Sequence, residues 1–299
     1  MNYDSEAVAI VHVDQKANIE PFAFACNKYS RCSFLKRRNR VSWGGFSILK
    51  VQIELLREAI TSANSEIGRF VFLSGLDFPI ASPARINAFF TEHPDTEFVG
   101  GANISSCRID SAVWRVNRFH AFRDSHLPKQ VKRVVTKLVR DGLSAVGIRK
   151  STRPLLSGKR VDVFFGGEQF AITRRFAERA LNDYDRDTVF REYFRTTFSP
   201  AEMFWQTILY NSEFKPGRFD WNDAHVSDLS KLTPLHFLSY QNQIKVMELK
   251  DLDELLNSGR LFFRKSVSGI SDDLISSLEN SWQTKESKNE PDFHNREQA

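Results

Sequence analysis

An alternating α/β fold with a mostly parallel sheet flanked by helices is what this sequence predicts, and three observations predict it. Short apolar runs of strand character recur at Val8 to Asp14, Arg69 to Ser74 and Glu97 to Gly100. Stretches with helical apolar spacing, Phe46 to Ala63 and Ser82 to Glu92, alternate with them. The chain is long enough, at 299 residues with 41% hydrophobic content, to bury one large core or two closely packed lobes. Phenylalanine dominates the aromatics, which suits a dry interior.

Each element has its own warrant. Val8-Ala9-Ile10-Val11-His12-Val13-Asp14 is apolar until it ends in polar residues. The helix from Phe46 carries Ile48, Val51, Ile53, Leu55, Leu56 and Ile60. Arg69-Phe70-Val71-Phe72-Leu73-Ser74 is broken by Gly75-Leu76-Asp77-Phe78-Pro79, a turn-rich stretch. Asp14, Trp43 and Asp77 are expected near the carboxyl edge of the strands, where ligands of such sheets sit. Val161 to Thr173 reads as strand around Gly166-Gly167, and Arg174 to Asn182 as helix. Asp251 to Asn257 is a short helix stopped by Gly259, followed by a strand at Leu261 to Lys265. Gln283 to Ala299 is polar and aperiodic, the composition of a disordered tail.

The net charge of +5 is concentrated. Between Ser111 and Arg160, cations such as Arg115, Arg118, Arg123, Lys132, Arg133 and Lys137 face only Asp124 and Asp141. Val131, Val134, Val135, Leu138 and Val139 recur among them at helical spacing, so the bland reading is a solvated basic helix face. The segment also suits an anionic lipid surface. Nucleic acid is not an expected partner, because no zinc finger, helix-turn-helix or RNP-type strand accompanies the charge. No apolar run approaches the roughly 20 residues that span a bilayer, and Met1 to Glu6 is too polar to open a signal peptide. Cys26, Cys32 and Cys107 suggest no disulfide framework, and the Cys26/Cys32 spacing is wrong for a zinc knuckle. The expectation is a reduced, cytoplasmic setting with peripheral contact at the inner face of the membrane.

The most telling stretch is Ser199-Pro200-Ala201-Glu202-Met203-Phe204-Trp205. Ser199 suits a helix cap, Pro200 the first helical position, and Glu202 the third residue of a capping box. Alternatively, Glu202 is a general base held by a rigid helix start.

Further landmarks are Ile10-Val11-His12-Val13-Asp14-Gln15-Lys16, Val41-Ser42-Trp43-Gly44-Gly45-Phe46-Ser47 and Leu73-Ser74-Gly75-Leu76-Asp77-Phe78-Pro79-Ile80. Gly166-Gly167-Glu168-Gln169-Phe170, Pro200-Ala201-Glu202, Phe219-Asp220-Trp221 and Ser258-Gly259-Arg260-Leu261-Phe262-Phe263-Arg264-Lys265 follow. With these in order, the chain resembles the core-2/I-branching β-1,6-N-acetylglucosaminyltransferases and the related peptide O-xylosyltransferases, especially their soluble bacterial members. The resemblance implies a GT-A-like, Rossmann-type fold and an inverting transfer from a UDP-sugar, with no divalent metal and no other cofactor. It implies a nucleotide-sugar-binding half at 1–110, a basic, partly helical connecting segment at 111–160, a catalytic and acceptor half at 161–282, and a tail at 283–299.

Residue roles follow from the same resemblance. Glu202 matches the general base that takes a proton from the attacking sugar hydroxyl. Asp14 matches a contact to the uridine portion, and Trp43 and Gly44 lie where the backbone approaches the donor, with Asp77 near the same edge. Lys265, helped by Arg264, replaces a metal in meeting the charge of the leaving diphosphate. Trp221 matches an acceptor-side aromatic, and Arg115 and Arg118 reach toward the acceptor. The Asp-x-Asp candidates for a metal site, Asp183-Tyr184-Asp185, Asp185-Arg186-Asp187 and Asp251-Leu252-Asp253, are expected in a polar loop and at a helix start, as turn and capping residues.

Only Met1 to Ala7 precede the first strand, where family members usually have a further strand and helix beside the uridine pocket. The expectation is a truncated chain or a pocket built with less. Membrane anchors and cysteine pairs of the eukaryotic enzymes do not appear, which fits a bacterial-type enzyme acting on surface or capsular polysaccharide precursors. N-acetylglucosamine is the first expected donor. Xylosyl transfer and a non-catalytic basic binding protein of the same fold are the alternatives.

Overall fold

The computed structural model describes residues 7–62, 67–106, 110–214, 232–240 and 243–289. In chain order they form β1 (Ala9–Val11), α1 (Glu20–Cys26), β2 (Cys32–Phe34), α2 (Phe46–Ser62), β3 (Arg69–Phe72), β4 (Asp77–Pro79) and α3 (Pro83–Glu92). β5 (Ala102–Asn103), α4 (Asp110–Asn117), α5 (Lys129–Ala145), β6 (Leu155–Leu156), β7 (Lys159–Arg160), β8 (Phe164–Phe165) and β9 (Phe170–Thr173) come next. They are followed by α6 (Arg174–Arg186), α7 (Thr188–Arg195), a 3-10 turn (Pro200–Glu202), α8 (Phe204–Tyr210), β10 (His236–Leu238), α9 (Leu252–Asn257), β11 (Phe262–Arg264) and α10 (Asp272–Asn289).

The chain divides into two compact units. The larger takes Met1–Phe72 and Pro94–Pro234, and the smaller takes Leu73–His93 and Leu235–Ala299.

In the larger unit, β1 and β2 pair in parallel across α1. β3 with β9, β5 with β8 and β6 with β7 are antiparallel. In the smaller unit β10 and β11 are parallel, and β4 joins β11 antiparallel. The fold is thus mixed α/β, with both parallel and antiparallel ladders among the described strands. The expected strand at Glu97 to Gly100 is reduced to a bridge between Phe98 and Ala171. At its end only glycine fits, because a Cβ on Gly100 would lie 2.4 Å from the carbonyl oxygen of Leu232.

Helix starts follow local chemistry. Ser82 accepts the Arg85 NH at 3.3 Å, Thr173 that of Phe176 at 3.1 Å, and Asp187 that of Phe190 at 2.8 Å. Asp183 and Asp185 lie in α6 rather than in a loop, paired with Arg179 and Arg57, and Asp251 closes a capping box with Glu248. α10 runs past Gln283 into the stretch expected as a tail, and residues 290–299 lie outside the described ones.

The larger core brings α2 (Leu49, Ile53, Leu56) against Phe70, Phe170 and Trp205, all buried. Trp205 donates its indole NH to Gln52 Oε1 at 2.7 Å, which satisfies the polar end of a fully buried ring. In the smaller unit Phe263, Leu274, Leu278 and Trp282 close around Ile80, and Trp282 donates to the Ile80 carbonyl at 2.8 Å.

Candidate active site

The peptide from Phe198 to Glu202 is tied on three sides in the larger unit. The Phe198 NH donates to the Arg115 carbonyl at 3.0 Å, and the Ser199 NH to that of Gly44 at 3.0 Å. The Glu202 carbonyl accepts the Gly166 NH at 2.8 Å. Gly166 is required here, because a Cβ would stand 1.9 Å from the Gly100 carbonyl oxygen. Ser199 is left-handed, with φ of +48°, and makes no side-chain cap bond. The capping-box reading is therefore corrected: Pro200–Glu202 is a 3-10 turn, and the Glu202 carboxylate points to another partner.

That partner is Arg115. Its Nη1 donates to Glu202 Oε2 at 2.5 Å, and only 14% of the Arg115 side chain and 25% of the Glu202 side chain are exposed. The guanidinium also lies over Phe165 and Phe198, 4.8 and 5.2 Å from the ring centroids. Burial pushes the Glu202 carboxyl up to about 8, drawn down by the Arg115 charge and up by Glu168. Glu168 belongs to a motif visible in the sequence, but its electrostatic role shows only in the fold.

Trp43 and Gly44 join this cluster. Phe198 meets Trp43 edge to face at 5.3 Å, and Arg123 sits 4.2 Å over Phe198 while donating to the Trp43 carbonyl at 3.1 Å. Gly44 has φ of +67°, and a Cβ there would come 2.7 Å from the Phe198 ring. Phe198 thus packs where a side chain at position 44 would stand. Trp43 itself is 78% exposed and offers an open aromatic face. Asp124 fixes the next turn, accepting the Ser47 NH at 3.1 Å and its hydroxyl at 2.5 Å. In the sequence Asp124 stands out only as a counter-charge to the basic segment.

Asp14 follows β1 and accepts the Lys16 NH at 3.0 Å and the Val41 NH at 3.5 Å, with the Lys16 ammonium at 3.1 Å. Partial burial alone would raise its pKa, but these bonds together hold it below the usual carboxylate range. Its remaining lone pairs stay available to an external donor. Arg38, which no motif singled out, clamps this turn by donating to the carbonyls of Val13 and Asp14 at 3.1 and 2.7 Å. Arg118 does not join Glu202. It pairs with Asp141 of α5 at 3.6 Å.

The smaller unit holds Asp77, Arg264 and Lys265. Asp77 and Arg264 are register partners across β4 and β11, and Arg264 Nη1 donates to Asp77 Oδ1 at 3.0 Å. Asp77 also accepts the Ser74 NH at 2.7 Å and its hydroxyl at 2.9 Å, and its Oδ2 lies 3.5 Å from His236 Nε2. The carboxylate has no solvent exposure. Asp77 thus holds Arg264, whose side chain keeps 20% exposure. Burial alone would raise the Asp77 pKa, but His236, Ser74 and Arg264 together hold it low. Lys265 is fixed through its carbonyl, which accepts the Met247 NH at 3.0 Å. Its ammonium makes no hydrogen bond or ion pair among the described residues. Trp221 lies outside the described residues, as do Phe219 and Asp220.

Cys26 and Cys32 form a disulfide joining the end of α1 to β2, which corrects the expectation of unpaired cysteines. Six residues of separation suit a short staple once α1 turns back onto β2. No helix among the described residues is long and apolar enough to cross a membrane.

Comparison with known proteins gives a match to the family model of the core-2/I-branching enzyme over residues 1–255. Xylosyltransferase 1 of Homo sapiens is 22% identical over 213 residues, covering 70% of this chain and 20% of the relative. Xylosyltransferase 2 of Rattus norvegicus is 24% identical over 215 residues, covering 70% of this chain and 22% of the relative. The chain thus matches about a fifth of the length of these relatives.

Proposed function

Because this chain belongs to the core-2/I-branching enzyme family, whose α/β fold is GT-A-like, we propose that it is a glycosyltransferase moving a sugar from a UDP-sugar to a glycan hydroxyl with inversion. The observation that carries the reading is Glu202: a carboxylate on a short turn pinned at both ends, with its affinity for a proton raised by burial. As the acceptor oxygen bonds to the anomeric carbon, Glu202 takes its proton and the bond from that carbon to the diphosphate oxygen breaks. The charge that grows on the departing UDP is met by Lys265 and Arg264, in place of a metal. Asp14 accepts donors from the uridine portion, and Trp43 supplies an aromatic face.

N-acetylglucosamine is the donor that the family resemblance puts first. Xylose is the second reading, supported by the relatives named xylosyltransferases. Calorimetric titration with UDP and a panel of UDP-sugars, all in excess chelator, names the donor by the tightest binding. Glu202→Gln is expected to keep UDP binding and lose transfer by about 100-fold to 10,000-fold. Undiminished transfer by this variant removes Glu202 as the base. Absence of any nucleotide binding by the unaltered chain turns the reading to a non-catalytic relative.

A further inference from the structure

Helix α5 has two apolar faces, and the core explains only one. Val135, Thr136, Val139 and Leu143 turn inward, and Thr136, the buried one, donates its hydroxyl to the Ala121 carbonyl at 3.2 Å. The same side is held by Arg140, 5.3 Å over the Trp114 ring. On the outer side, Val131, Val134 and Leu138 succeed each other at helical spacing, 46%, 55% and 66% exposed. Val146 and Ile148, just past the helix, are 71% and 50% exposed. Alongside the outer stripe stand Lys129, Arg133 and Lys137, all exposed. The only acid on the helix, Asp141, is bound by Arg140 through two hydrogen bonds of 2.7 and 3.0 Å.

We infer that the outer face of α5 is a docking surface for an anionic lipid membrane, Val131, Val134 and Leu138 entering the headgroup boundary while Lys129, Arg133 and Lys137 meet lipid phosphates. A solvated helix has no use for a second row of large aliphatic side chains, and a row flanked by cations matches an interfacial helix lying in the membrane plane. Charge complementarity selects this occupant. A second copy packed on the same stripe would set Arg133 and Lys137 beside their own equivalents, with no free acid to offset them. A nucleic-acid backbone would meet valines and a leucine where it needs donors. The inference does not rest on the sugar-transfer reading, since lipid binding and UDP binding are measured separately.

The test is co-sedimentation of the full chain with vesicles of phosphatidylcholine alone and of phosphatidylcholine mixed equally with phosphatidylglycerol. Binding is expected to the mixed vesicles only. Arg133→Gln with Lys137→Gln is expected to weaken it about 30-fold, at about fivefold per cation. Val134→Ser with Leu138→Ser is expected to weaken it about tenfold with every cation in place. UDP affinity and the thermal midpoint of both variants, whose altered side chains are exposed, should match the parent and show the fold intact. No binding to mixed vesicles overturns the inference. So does binding that ignores the two serines, which would make the contact one of charge alone. Sedimentation showing a dimer that the serines dissociate would give the stripe to a second copy and overturn it equally.

Discussion

Arg115 and Glu202 meet in a single 2.5 Å hydrogen bond with both side chains mostly withdrawn from solvent, and burial and the guanidinium act in opposite senses on the protonation of the carboxylate. Burial raises the pKa of Glu202, and the guanidinium opposes that rise without cancelling it. A base is active only when deprotonated, so kcat/KM should climb with pH and level off above about 8. Replacing Arg115 with Met removes the opposing charge and should move the rising limb upward by about one unit or more. A pH profile of both proteins checks this, and a limb that stays in place or moves down separates Arg115 from the base.

Stability should move in the opposite sense to activity. A carboxyl with a raised pKa binds its proton more tightly when folded than unfolded, so stability falls as pH rises from about 4.5 toward 8. Glu202→Gln cannot ionise and escapes that fall. Its thermal midpoint should exceed the parent's at pH above 8, with the gap closing toward pH 4.5. Melting curves across the range measure it, and a constant gap would place the cause elsewhere.

Arg264 and Lys265 are neighbours with different tasks. The Lys265 ammonium supports no other side chain among the described residues, so Lys265→Ala should weaken UDP binding about tenfold or more and leave the melting temperature unchanged. Arg264→Ala strands the Asp77 carboxylate, which has no solvent exposure, and should cost about 3–5 kcal/mol of stability as well. Calorimetry beside denaturant titration distinguishes them. Equal stability loss in both variants would contradict the division of roles.

Glycine substitutions should divide sharply by location. Gly166→Ala drives a methyl group to 1.9 Å from the Gly100 carbonyl, against backbone that cannot yield without moving Glu202. A loss of about 1–3 kcal/mol in urea titration, accompanied by lower activity, is expected. Gly68→Ala meets nothing within 4 Å and should be close to neutral.

What could be read in the chain was the local chemistry; what could not was the pairing. Ser82 announced its helix, and the motifs around Trp43 and Glu202 marked the two peptides that the Ser199-to-Gly44 bond joins. The antiparallel ladders stayed hidden because β3 meets β9 across about a hundred residues of chain, with nothing in either run to declare the direction. Ser199 misled for a physical reason: its residue type fits a cap, but its left-handed backbone withdraws the side chain from that task. The guanidinium of Arg115 carried no sign of its partner, since a salt bridge spanning 87 positions leaves no periodicity. Nor could the pairing of Asp77 with Arg264 be read, because the register that joins them spans 187 positions.

The smaller unit is assembled from two separate stretches of chain, with β4 and α3 drawn from between two stretches of the larger. Its middle strand, β11, takes β10 on one side and β4 on the other, and Trp282 lies stacked on Phe78 at 6.2 Å. A recombinant exchange of the segment beginning at Leu235 would therefore graft a sheet without its edge, and leave Phe78 and Ile80 behind as uncovered apolar surface. Whoever trades this unit between relatives has to carry Leu73–His93 along with it; as an exchangeable module it is two segments of sequence, never one.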